Sequence, residues 1–364
     1  MTPRRLPLHE WHAEHAVMFE FAGFEMPLEY KGFGPTVEAL SVRRNVGLFD
    51  VSHMGRIMVS GDDATRLMNL LFTRDVEAMR KGDCKYGFLL NEHGGIIDDI
   101  IVYKMDNGLL LVVNACNRER AFSWITAKTD EFNFNVQVDD LSDESVMFAV
   151  QGPLSPQVIK GLTSLSSLGR FKHCSVTVLG SPCLLSRTGY TGEDGFEIIQ
   201  FDDEKALALW ELILKLGESS SITPCGLAAR DILRMEAGLA LYGVDINEDV
   251  TPIEASLERF LDLDKNFIGR KALETRGIRF LRVSLLMEER GIPRKGYSIL
   301  IDGMKSGFVT SGTLSPLKGV GVGMGYIKKN SVKHYGYVEI RGKPRKVRIL
   351  HPSEILTELK SLQR

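Results

Sequence analysis

Apolar and polar positions alternate along this chain in two periods, and the switches between them mark its elements. Asp62-Asp63 precede a run in which Ala64, Leu67, Met68 and Leu71 recur at i, i+3, i+4 and i+7. This spacing predicts a helix capped by the acids. Residues 55–60 just before it read as a strand. The apolar runs 100–103 and 109–113 are joined by 104–108, whose Asn107-Gly108 pair predicts a hairpin. A second helix is expected over 202–216, opened by Asp202-Asp203 and stopped at Gly217. Pro224 and Gly226 open a third, with Arg230 and Arg234 one turn apart. Residues 8–20 also pattern like a helix, and beyond Arg276 short strands and Gly-rich turns suggest a small barrel or sandwich. Hairpins and helices without regular βαβ units predict an α+β fold rather than a doubly wound sheet.

Size and charge refine this picture. The chain has 364 residues, enough for two or three domains with sizeable cores. Residues 276–364 hold 18 Lys/Arg and 6 Asp/Glu, a balance of +12, so with a net charge of −2 the first 275 residues carry −14. A separate basic C-terminal domain is the natural reading, able to steer an acidic protein partner or a polyanion. No Arg-rich tract is interleaved with aromatics, so nucleic-acid binding is not expected. No apolar stretch approaches the roughly 20 residues that cross a bilayer. Met1 to Pro7 contains two arginines but no signal-peptide apolar run, so a cytoplasmic location is expected. The five cysteines, widely spaced and without a C-x-x-C pair, argue against a disulfide framework or metal cluster. His9, His12 and His15 fall on one helix face, but no other ligands converge with them, so a solvated or half-buried face is expected and no metal.

Two segments suggest chemistry. Residues 187–197, Arg-Thr-Gly-Tyr-Thr-Gly-Glu-Asp-Gly-Phe-Glu, put three glycines in a polar loop that feeds a strand. Glycine lets backbone approach a ligand closely. Glu197 is the one acid in an apolar strand, and a buried carboxylate needs hydrogen-bond donors. A pterin ring offers two parallel N–H donors, although a simple β-turn with Glu197 on the wet face fits the same residues. The second segment, Gly94-Gly95-Ile96-Ile97-Asp98-Asp99, leads into the strand at Ile100. Successive strand side chains point to opposite faces, so Asp98 and Asp99 are not expected to share a site. The residues alone do not choose between them.

In order along the chain, residues 21–28 (Phe-Ala-Gly-Phe-Glu-Met-Pro-Leu), 47–55 (Gly-Leu-Phe-Asp-Val-Ser-His-Met-Gly), 94–99, Gln151-Gly152-Pro153, 187–197, 226–231 (Gly-Leu-Ala-Ala-Arg-Asp) and 309–313 (Val-Thr-Ser-Gly-Thr) resemble the T-protein of the glycine cleavage system, an aminomethyltransferase. The resemblance runs from about residue 6 to about residue 330. It implies a three-domain cloverleaf around a central folate channel. Residues 1–275 would form the folate-binding region, two intertwined α+β domains with the inner one at about 52–140. Residues 276–364 would form a β-rich barrel. The implied reaction takes the one-carbon unit of an aminomethyl group on the lipoyl arm of the H-protein, an acidic carrier. It passes that unit to tetrahydrofolate as co-substrate and releases ammonia, giving methylene-tetrahydrofolate and the dihydrolipoyl carrier. The family's acid falls on Asp99, its pterin contacts on Tyr190 and Glu197, and its folate arginine on Arg230. Met54 and Tyr86 match channel-lining positions, and Asn114 lies in a family-like Val113-Asn114-Ala115. Without the resemblance, a salt bridge to Asp231 would account for Arg230 equally well.

Two departures bear on recognition of the lipoyl arm. The family's Gly-Trp pair is absent after residues 251–257, where Glu258-Arg259-Phe260 follow, and residues 348–354 lack the usual aromatic-rich ending. Two other activities are compatible with the implied fold. One is a folate-dependent demethylase acting on a small methylated substrate; relatives of that kind carry a flavin domain whose G-x-G-x-x-G fingerprint is missing here. The other is a non-enzymatic folate-binding accessory protein for iron–sulfur assembly, whose Lys-Gly-Cys motif is replaced by residues 265–270 without a cysteine.

Overall fold

The computed structural model describes residues 2–163 and 168–361. The chain divides into two compact units. One comprises residues 1–89, 98–230 and 265–267, and the other residues 90–97, 231–264 and 268–364. Helices and largely antiparallel sheets are mixed, as the α+β reading expects.

The first unit is built on a six-stranded sheet in the order His173–Val178, Ser181–Ser186, Gly195–Gln200, Val146–Gln151, Val46–Asp50, Ile222–Pro224. Only the last pair is parallel. Val146–Gln151 and Gly195–Gln200 are buried along their whole length. Phe148, Val150 and Ile198 pack in one apolar cluster with Leu209, Trp210 and Ile213 of the helix Ala206–Gly217. At roughly 25 cal/mol per Å² of apolar surface, such clusters dominate the stability of the unit. A five-stranded sheet has the order Cys84–Leu90, Ile96–Lys104, Leu109–Val113, Gly55–Ser60, Gln137–Asp140. Its second and third strands form the expected hairpin, closed by a Met105 N–H to Gly108 carbonyl bond of 3.0 Å.

Two local expectations are corrected. Residues 8–20 do not form one helix: His9–His15 is helical, and Ala16–Phe21 continues as a strand. The β-branched and aromatic run Val17, Phe19, Phe21 favours the extended form. The histidine face is half-buried, one of the two forms expected for it: His15 is exposed, and His9 and His12 are buried. His12 is fully buried, with Nε2 2.9 Å from Asp50 Oδ2 and Nδ1 2.9 Å from the Tyr30 hydroxyl, and buried His9 pairs with Glu25 at 2.7 Å. The second correction concerns Asp63. It precedes the helix Ala64–Leu71 without capping it, because its carboxylate is taken by the backbone N–H of Asn135 at 3.0 Å and by Arg66 at 2.7 Å.

The second unit contains a closed six-stranded barrel, in the order Phe280–Met287, Val320–Lys328, Met304–Ser315, Ser298–Ile301, Tyr335–Ile340, Lys343–Leu350. Alternate residues such as Val283, Leu285, Ile299, Ile327 and Val347 fill it. Closure leaves no sheet edge exposed. The helix Ile355–Ser361 sets Ile355 and Leu359 against Leu286 and Val322. Among the described residues no helix is long and apolar enough to cross a membrane.

Candidate active site

The strand Ile96–Lys104 carries the two acids at its start. Asp98 is fully buried and Asp99 partly exposed, as alternation requires. Hydrogen bonding nonetheless joins them. Asn114 stands just past the end of the neighbouring strand Leu109–Val113, where no ladder partner claims its side chain. Its amide Nδ2 donates to Asp98 Oδ1 and to Asp99 Oδ1, each at 2.8 Å. Its backbone N–H donates to Asp98 Oδ2 at 3.0 Å, and Asn117 Nδ2 donates to Asp98 Oδ1 at 2.7 Å. The other oxygen of Asp99, Oδ2, accepts the Tyr86 hydroxyl at 3.0 Å. The two acids thus face opposite ways, as alternation predicts, and an amide just past a strand terminus reaches round to both. Burial and the charge of Asp99 push the Asp98 carboxyl up to about 8.

A second cluster forms around the 187–197 loop. Glu197 is buried on Gly195–Gln200 and accepts the Thr188 hydroxyl at Oε2. Burial raises its pKa, against the pull of Thr188 and Arg230. The Arg230 guanidinium lies 4.8 Å from the centroid of the half-buried Tyr190 ring, within cation–π reach. Asp231, the alternative partner for Arg230, instead accepts from Arg234 at 2.8 Å. His53 is buried edge-on to Phe21 and Phe24, and its Nδ1 has no hydrogen-bond partner. Burial, then Arg230, depress its pKa to about 3, so the imidazole is neutral. Met54, half-buried next to it, contributes its carbonyl to Arg56.

One strand relates the clusters. Tyr103 lies four residues beyond Asp99 on the same face of Ile96–Lys104. It is fully buried, and burial together with the nearby Glu197 raises its phenol pKa. At about 3.3 Å per residue, Asp99 and the Tyr103 position are about 13 Å apart along the strand. The sequence-predicted residues thus fall into two groups, Asp99 with Tyr86 and Asn114, and Glu197 with Tyr190 and Arg230.

Two glycines of the loop, Gly189 and Gly195, make room for a neighbouring side chain. A Cβ on Gly189 would lie 2.0 Å from the Gln151 side chain, and one on Gly195 2.4 Å from it. Gln151 is 1% exposed. Its Nε2 donates to the carbonyls of Thr188 at 3.1 Å and Phe196 at 3.3 Å, and its Oε1 accepts from the Thr191 hydroxyl at 3.0 Å. Arg187 closes the loop base on Asp194 at 2.6 Å, and Arg43 Nη1 holds the Thr191 carbonyl, also at 2.6 Å. Gln151, His53, Thr188 and Asn117 are site residues that sequence reasoning did not single out. The first three lie within the family-like runs, whereas Asn117 had no signal of its own. Gly195→Ala is expected to cost about 1–3 kcal/mol, the scale of overpacking a filled core. Thermal melts check this, and the cost should shrink by at least half in a Gln151→Ala background, where the clash is gone.

The GCVT N-terminal domain family matches residues 8–265, and the glycine cleavage T-protein C-terminal barrel domain family matches residues 281–353. The chain belongs to the aminomethyltransferase family of the glycine cleavage system. Within this T-protein family it is 40% identical to an aminomethyltransferase of Caldanaerobacter subterraneus subsp. tengcongensis over 358 residues, covering 95% of this chain and 94% of the relative. It is 42% identical to one from Pseudothermotoga lettingae over 319 residues, covering 86% and 87%. The crystal structure of glycine cleavage system aminomethyltransferase T from Bartonella henselae superposes with a TM-score of 0.87 at 35% identity, covering 97% of this chain and 98% of that one. The T-protein assignment, the α+β class and the C-terminal barrel thus stand, and the family's activity is that of a transferase.

Proposed function

We propose that this T-protein family member transfers the one-carbon unit of an aminomethyl-lipoyl carrier protein to tetrahydrofolate, releasing ammonia. The observation that carries this reading is Asp99: a partly exposed carboxylate whose two oxygens accept from Tyr86 and from Asn114, on the strand that also approaches the buried Glu197. Such donors fix the direction of the carboxylate and of its charge. That charge faces the positive character that develops on the carbon as ammonia leaves, and fixed electrostatics of this kind lower barriers most where water is scarce. Asp99 also orients the accepting N–H group, or takes its proton.

Tetrahydrofolate supplies the accepting nitrogen when bound. The residues present suit it. Glu197 has Oε2 satisfied by Thr188 while Oε1 accepts no hydrogen bond from the described residues, so one carboxylate oxygen remains for a pterin N–H. Tyr190 offers a half-buried ring, and Arg230 beside it offers a planar cation for a ring carbonyl or an acid group. Met54, Tyr86 and Asn114 complete the set assigned to folate. The reading is tested by supplying aminomethylated carrier and following methylene-tetrahydrofolate. Product should form only when tetrahydrofolate and carrier are both present, and a chain that forms none would refute the assignment.

The barrel unit bears on the carrier. Residues 276–364 carry the +12 balance, and Lys328 and Lys329 among them are exposed. An acidic lipoyl carrier would be drawn to this surface, so the apparent KM for the carrier should rise steeply with salt while that for tetrahydrofolate rises less. Screening over about 10 Å at 0.1 M makes a modest salt series sufficient. Charge reversal at Lys328 and Lys329 should mimic high salt, whereas a flat profile would reduce the charge asymmetry to a solubility feature.

A further inference from the structure

Asp98 is a buried acid that the transfer step, as described, does not use. It accepts three hydrogen bonds: from Asn114 Nδ2 at 2.8 Å, from the Asn114 backbone N–H at 3.0 Å, and from Asn117 Nδ2 at 2.7 Å. Such a concentration of donors on one carboxylate fixes the donors as much as the acid. Asn114 is gripped at both its backbone and its amide, and the same amide nitrogen also reaches Asp99 Oδ1 at 2.8 Å and the Asp99 carbonyl at 3.1 Å. A side-chain amide has two N–H groups and cannot reorient without releasing one of these acceptors.

We propose that Asp98 is a positioning residue for the transfer: through the Asn114 amide it locks the direction of the Asp99 carboxylate, and its own ionisation is coupled to that of Asp99. This rests on the aminomethyl-transfer reading only for its kinetic consequence. Two carboxyl groups joined by one amide titrate as a pair. Burial, then the charge of Asp99, raise Asp98 to about 8, while the three donors pull it the other way. The Asp98 charge therefore arrives as the medium turns alkaline. The Tyr86 hydroxyl donates to Asp99, and the Cys116 thiol, raised to about 11 by partial desolvation and then by Asp98, lies within electrostatic reach of the pair. That thiol is not expected to titrate near 8.

The test uses the full chain with carboxyl-labelled aspartate, followed by carbon NMR across pH, together with the pH profile of kcat. In the parent chain one buried aspartate should titrate near pH 8, and the Asp99 resonance should move with it. In Asp98→Asn that titration disappears, kcat at pH 7 falls about tenfold, the alkaline inflection of kcat is lost, and the KM for tetrahydrofolate stays within about twofold. Asn117→Ala removes a donor from Asp98 and leaves Asn114 and Tyr86 in place. It therefore disfavours the ionised form and should move the inflection to higher pH. An Asp99 resonance that ignores the titration of Asp98 would overturn the proposal, as would a folded Asp98→Asn variant whose kcat profile superimposes on the parent. Coupled titration in a chain without turnover would support the pairing and count against the transfer reading, so the two failures are distinguishable.

Discussion

Asp99→Asn is expected to lower kcat by about two orders of magnitude or more, the scale on which one preorganised electrostatic group acts in a transition state. The substitution keeps the shape and removes the charge. Tyr86 can still donate to the amide oxygen, so the fold should survive, and Glu197 stands on a different strand, Gly195–Gln200. Steady-state kinetics should therefore show a loss confined to kcat, with tetrahydrofolate affinity nearly unchanged by calorimetry. Asp98→Asn, by contrast, should retain about a tenth of the activity and reveal itself in the pH profile. Near-normal kcat in Asp99→Asn, especially beside an inactive Asp98→Asn, would move the catalytic role to the buried acid.

Glu197→Gln should weaken tetrahydrofolate binding by about 2–4 kcal/mol, roughly 30- to 900-fold, as expected when one partner of a charge-assisted buried pair is mismatched. The Thr188 hydroxyl occupies Oε2, and a glutamine can keep that bond only by presenting its oxygen to Thr188. Its N–H₂ then points at the pterin donors, setting N–H against N–H. Turning the amide round would restore the acceptor for folate and strand the threonine, which can itself accept. The free energy lost is therefore expected at the lower end if Thr188 adapts, and at the upper end if Ser186, 2.7 Å from the Thr188 hydroxyl, holds it in place. Titration calorimetry on the folded variant decides this, and unchanged affinity would remove Glu197 from the site.

What could be read from the chain and what could not divide along physical lines. The hairpin over 100–113, the strand Gly55–Ser60 and the barrel beyond Arg276 were legible because each is specified locally, by an Asn-Gly turn or by alternation. The end of the first helix at His15 was not, because helical and extended patterns overlap across Ala16–Phe21 and tertiary packing decided between them. The acids were legible as candidates, but not their connection. Alternation assigns Asp98 and Asp99 to opposite faces correctly, and it is silent about Asn114, which bridges them from another strand's end. Nothing local to Gly189 and Gly195 indicates that Gln151, more than 35 residues earlier, fills the space their missing side chains leave. Non-local contacts of this kind are fixed by the fold and leave no periodic trace in sequence.

Transfer at Asp99 couples ammonia release to the folate acceptor, and ammonia reports that coupling most directly. Aminomethylated carrier protein is mixed with the full chain, with and without tetrahydrofolate, and ammonia and methylene-tetrahydrofolate are both quantified. The prediction is one ammonia per methylene-tetrahydrofolate, at a rate that collapses when tetrahydrofolate is withheld or Asp99 is replaced by asparagine. Ammonia release at the full rate without tetrahydrofolate, or no release from the intact chain with both substrates present, would contradict it.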